Sequence, residues 1–146
     1  MPKWAKVLLV VMACGFFLVV GVVLVAVRWV KSNAGEWREQ GKAVQAEAVA
    51  FGQGKDANAC VDEAFARLDR CESLMCEAQS KLFLSSCLRT ASKPPDFCQG
   101  VPKRDEILAG AKWTIAECAR RGFSDNQRCH RVISAIQEVC APTSNL

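Results

Sequence analysis

The chain has 146 residues, 51% of them hydrophobic and 23% charged, with a formal charge of +4, nine cysteines and one histidine. Lys3, Lys6, Arg28 and Lys31 account for all of that charge, and fifteen bases face fifteen acids from Ser32 onward, so the basic field on which nucleic acid recognition rests is missing. The single histidine excludes a multi-histidine metal site, and the length leaves room for one small domain.

Val7 to Val27 is an unbroken apolar run of 21 residues, about 31 Å as a helix against a bilayer core of about 30 Å. Trp4 and Trp29 flank it at the positions where indole prefers the headgroup region, and bases fence both ends. The run is longer than the core of a cleaved signal peptide and ends in Val27-Arg28-Trp29 with no small-residue exit. Residues 1–31 are therefore expected to be a retained single-span anchor with a short cytoplasmic tail. Two alternatives at Cys14 are a lipidated cysteine, from a faint lipoprotein-like Val11-Met12-Ala13-Cys14-Gly15, and a small membrane-embedded side chain; the second fits the apolar Phe16-Phe17-Leu18 that follows.

Residues 32–58 read as a spacer, with Gly35, Gly41, Gly52 and Gly54 among Ala, Glu and Gln. Trp37, Val44, Ala48 and Phe51 recur at helical steps and predict an amphipathic helix from about Glu36 to Phe51. Trp37 and Phe51 are candidate contacts for a partner or a membrane surface, or for the chain's own domain. Gly52-Gln53-Gly54-Lys55 predicts a break.

Residues 59–146 hold eight cysteines at intervals of 11, 5, 11, 11, 20, 11 and 11. Eleven residues are about three helical turns, so cysteines that far apart share a face. Asp56 or Asn58 caps a first helix bearing Val61, Ala64, Phe65 and Leu68, and Ser73 caps a second bearing Leu82, Phe83 and Cys87 until Lys93-Pro94-Pro95. With four residues between Cys71 and Cys76, the two helices turn back at once. The pairs Cys71 with Cys76 and Cys60 with Cys87 follow from helical register.

A third helix is predicted from Asp105 to Arg121, with Ile107, Leu108, Ala111, Ile115 and Cys118 on its inner side, stopped by Gly122-Phe123-Ser124. Ser124 or Asp125 caps a fourth, which bears Cys129, Val132, Ile133, Ile136 and Cys140. Cys118 is expected to pair with Cys129, which leaves Cys98 for Cys140; register alone selects this among 105 connectivities. The fold expected is all-α, an N-terminal transmembrane helix followed by a disulfide-stapled pair of helical hairpins. In construction such hairpins resemble the twin cysteine-motif proteins of the mitochondrial intermembrane space, although Cys60 to Cys71, Cys76 to Cys87 and Cys129 to Cys140 each enclose ten residues where that family has nine or three; the resemblance implies a helical hairpin and no activity.

Chemistry is sparse. No Cys-x-x-Cys or phosphate-cradling glycine loop is present, and a Ser-His-Asp or Cys-His set would have to be built around His130, so no catalytic residue, cofactor, metal or small-molecule substrate is expected. Arg120, Arg121, Arg128 and Arg131, with His130, form one local basic cluster that suits an acidic partner, an anionic headgroup or solvated helix ends. A spaced, even set of cysteines points to an oxidising space. The expectation is a non-enzymatic protein-binding module (accessory subunit, adaptor or immunity-type inhibitor) on the periplasmic side of an inner membrane or its equivalent, with another membrane or periplasmic protein as partner. The alternative is a tethered thiol-disulfide or metal-handling protein using Cys71, Cys76, Cys129 and His130.

Overall fold

The computed structural model describes residues 3–123 and 127–141, with side chains at Trp4 and from Val11 onward. Among these residues there are five helices and no strands: α1 Lys3–Gly52, α2 Ala57–Asp69, α3 Leu74–Thr90, α4 Ile107–Arg120 and α5 Gln127–Cys140. Contacts divide the chain into two units, residues 1–40 and 41–146.

In the first unit α1 is long and apolar enough to cross a membrane, with a window of mean hydropathy 2.5 that is buried by nothing in the protein. Cys14 is exposed and unbridged. The change of composition at Ser32 does not end the helix. Ser32 Oγ and Asn33 Nδ2 each donate to the Trp29 carbonyl at 2.8 Å, so the polar side chains fold back on the helix instead of breaking it. Trp37 packs edge-on to Trp29 at 5.7 Å.

The second unit begins with the last turns of α1. Ala48 is buried there, and Val44 and Phe51 pack on the core, with the Phe51 ring 5.6 Å from that of Phe83. A Cβ on Gly52 would lie 2.4 Å from Thr90 Oγ1 and 2.7 Å from the Cys87 carbonyl oxygen, so only glycine lets the end of α1 pass this close to α3. The break falls at Gly52-Gln53-Gly54, where Gly54 takes a φ of 83°.

Asp56 caps α2 by accepting from the Ala59 amide, and Ser73 caps α3 by accepting from that of Cys76. Each cap satisfies an amide that the helix itself leaves without a partner. Cys60, Val61, Ala64, Phe65 and Leu68 of α2 and Phe83, Leu84, Cys87 and Leu88 of α3 share one buried core. α5 lies against both and adds Cys129, Val132, Ile133, Ala135 and Ile136. Gly122, at φ 83°, ends α4, and the Phe123 amide reaches back to the Cys118 carbonyl, the six-to-one bond of a glycine-terminated helix. The residues expected to cap α5, Ser124 and Asp125, lie outside the described residues.

Four bridges staple this unit: Cys60 to Cys87, Cys71 to Cys76, Cys98 to Cys140 and Cys118 to Cys129. Helical register sets out the same pairs.

One expectation fails. Ile107, Leu108, Ala111 and Ile115 do not form the inner side of α4; Ile107 and Leu108 are each 80% exposed and Ile115 54%. The packed line runs instead through Gly110, Trp113, Thr114, Glu117 and Cys118, roughly a quarter-turn round the helix. The physical reason is neighbourhood. Of helices α2 to α5, α4 packs against α5 alone, and one neighbour covers only one narrow line, which the bridge at Cys118 fixes. The helix also starts at Ile107, two residues after Asp105, because Glu106 turns its carboxylate back to the Lys103 amide and caps nothing.

Candidate functional site

The four arginines of the basic cluster do not converge on one patch. Arg121 Nη1 reaches Asp62 of α2 at 3.3 Å, and its guanidinium stacks over the Phe65 ring at 4.9 Å. Arg120 bonds Glu117, which raises the guanidinium's affinity for its proton. Arg128 donates to the Cys71 carbonyl, and Arg131 to the buried carboxylate of Glu77 at 2.7 Å. Arg121 thus ties the end of α4 to α2, while Arg128 and Arg131 tie α5 to the first hairpin. Arg120 and Arg121 also line a polar pocket of about 200 Å³ with Asp96, Trp113 and Glu117, where opposite charges neutralise one another.

Trp37 and Phe51 fall in different units. Phe51 is half-buried on Phe83, while Trp37 stays 36% exposed. Cys71, Cys76 and Cys129 are all bridged, and His130 is exposed beside Cys129. Among the described residues no group of three or more His, Cys, Asp or Glu gathers to hold a metal.

Two features escaped the sequence reading. The first is an open groove of about 500 Å³ between α3 and α5, lined by Leu74, Glu77, Ala78, Lys81, Arg131 and Ser134. Leu74 is 68% exposed at its edge, and the Lys81 to Glu138 pair at 2.9 Å and the Arg131 to Glu77 pair set charges around an apolar floor. Leu74-Met75 directly after the Ser73 cap was the available signal, since an apolar pair in a first turn beside a tight bend has little to pack on. The second is Arg67. It lies over the Phe83 ring at 3.8 Å and bonds Glu63 at 2.9 Å and Glu47 at 2.6 Å. That hydrogen bond and the charge behind it hold the Glu47 carboxyl below the usual carboxylate range. Glu63 and Arg67 are four apart and legible as a helix pair; the Glu47 contact needs the tertiary fold.

Compared with protein-family models, with curated proteins and with solved structures, the chain matches none. It is a disulfide-rich helical protein with, among the described residues, one helix long and apolar enough to cross a membrane, and function must be read from its surface.

Proposed function

We propose that this is a single-pass membrane protein whose cross-linked domain, outside the cytoplasm, binds another protein and catalyses no reaction: an accessory subunit, an adaptor or an immunity-type inhibitor. The observation that carries the reading is the α3–α5 groove, an apolar floor with a charged rim on a scaffold stiffened by four bridges. Interfaces draw affinity from apolar anchors in such recesses and orientation from the polar rim. The bridges support an oxidising compartment such as the periplasm, with the short N-terminus left in the cytoplasm. Arg131 belongs to the binding face in this reading, while Arg121 and Arg128 act inside the fold.

Affinity purification from a detergent extract, with the full chain as bait, is expected to recover a stoichiometric membrane or periplasmic protein. The variant Leu74→Asp/Ala78→Glu should lose it with an unchanged melting temperature, because both side chains are exposed. No stoichiometric partner in any growth condition, or a partner indifferent to these changes, overturns the proposal.

A further inference from the structure

Of the eight bridged cysteines five are buried, and Cys76, Cys98 and Cys140 are half-buried. Cys76 also lines an open recess of about 260 Å³ with Val44, Arg67, Arg70, Gln79 and Ser80, while its partner Cys71 is 2% exposed. We propose that the Cys71–Cys76 bridge is a thiol-exchange site, opened by a thiol that attacks Cys76 and stays on it as a mixed disulfide. The site stands apart from the binding face described above, and it leaves out Cys129, which is fully buried, and His130.

The attacking thiolate forms a bond to the Cys76 sulfur, the bond between Cys76 and Cys71 breaks, and its electron pair leaves on the Cys71 sulfur, which takes up a proton from water. The incoming sulfur is oxidised and Cys71 is reduced. Cys71 follows the end of α2, at a helix's negative pole, so the charge departing there needs a donor. Ser80 supplies it. Its buried hydroxyl is 3.6 Å from the Cys71 sulfur and 3.0 Å from the Cys76 carbonyl oxygen, so one proton can turn from the carbonyl to the thiolate. A second thiol then removes the first and leaves Cys76 as a thiolate in the first turn of α3, where the positive pole holds it. Charge selects no particular thiol. Arg67 is paired with Glu47 and Glu63, and exposed Asp69 and Glu72 flank Arg70 in sequence, so the ligand class is any thiol that fits the recess, small or on a protein. The fold also tolerates the opening. Cys71 and Cys76 are 5 positions apart, against 42 for Cys98 and Cys140, the other half-buried pair, and the shorter loop restrains the unfolded chain less.

The test treats the full chain with reduced glutathione, or with a short peptide bearing one cysteine, quenches with iodoacetamide and maps every cysteine by mass spectrometry. The first product expected carries the thiol on Cys76 and the alkyl group on Cys71, about tenfold ahead of any other bridged pair, with an unchanged circular dichroism spectrum. Ser80→Ala should slow that opening about fivefold, the worth of one hydrogen bond, whereas a merely loosened fold would speed it. Labelling by the peptide brings protein thiols into the class, and labelling by glutathione alone limits it to small ones. First opening at Cys98 and Cys140, an adduct on Cys71, opening only as the helices melt, or a Ser80→Ala rate equal to or above that of the parent chain overturns the proposal.

Discussion

Glu77 is a carboxylate with 7% of its side chain exposed, and Arg131 is its partner. Replacing Arg131 by alanine leaves that charge buried without a counter-ion, at a cost of about 1–3 kcal/mol. Arg131→Ala should therefore lower stability by that amount in urea titrations, and adding Glu77→Gln should recover most of the loss. Glu47 gives a smaller effect of known sign. Its folded carboxyl titrates below the unfolded value because Arg67 hydrogen-bonds it, so the contribution is full above the unfolded value and lost as pH falls through the folded one. With 55% of the side chain exposed, it is worth less than about 1 kcal/mol. Glu47→Gln should lower the melting temperature slightly at pH 7, and the difference should vanish as pH falls past the carboxylate range.

At the scale of elements, the close pass of α1 over α3 makes Gly52 irreplaceable in shape. Gly52→Ala forces backbone apart at the Cys87 carbonyl and should cost about 1–3 kcal/mol by the same titration. α4, packed on one helix alone, should exchange its amides for deuterium faster than α2, α3 or α5; equal protection would contradict its peripheral place. The same contrast explains what the sequence made legible. α2 and α5 showed their buried stripes because each lies against two or more neighbours that cover a wide face, whereas in α3 Phe83 and Cys87 are buried as expected but Leu82 is half-buried and Leu84 and Leu88, which the sequence reading did not name, fill the core. The caps Asp56 and Ser73 and the stop at Gly122 were legible because they act within a few residues. The inner face of α4 was misread because its strongest apolar row is its exposed one. The α3–α5 groove was invisible because it joins residues more than fifty positions apart, and the continuity of α1 past Ser32 was hidden by polar residues that normally end helices.

Across the whole molecule, no bridge joins the first hairpin to the second. The halves are held by the packing of α5 on α3 and α2, by Lys81 to Glu138 and Arg131 to Glu77, and by the Phe65 and Phe123 rings at 5.6 Å. Each half depends on its own covalent closure. Opening the 28-residue loop with Cys60→Ala/Cys87→Ala should cost about 3–4 kcal/mol on chain-entropy grounds, while Cys14→Ser, outside the core, should leave the melting temperature unchanged. Thiol counting by mass spectrometry should find one free cysteine in the intact chain. The order of those closures carries a burden for the cell. As the chain is made, the cysteines of the first hairpin appear in the order 60, 71, 76 and 87, yet the native partner of the first is the fourth. Along a helix Cys60 and Cys71 stand about 16 Å apart, far beyond the 5.8 Å between the Cα atoms of Cys60 and Cys87. A catalyst that joins thiols in order of arrival would trap the chain in a mismatch, so maturation calls for early coiling of the hairpin or for an isomerase that reshuffles its first mistakes.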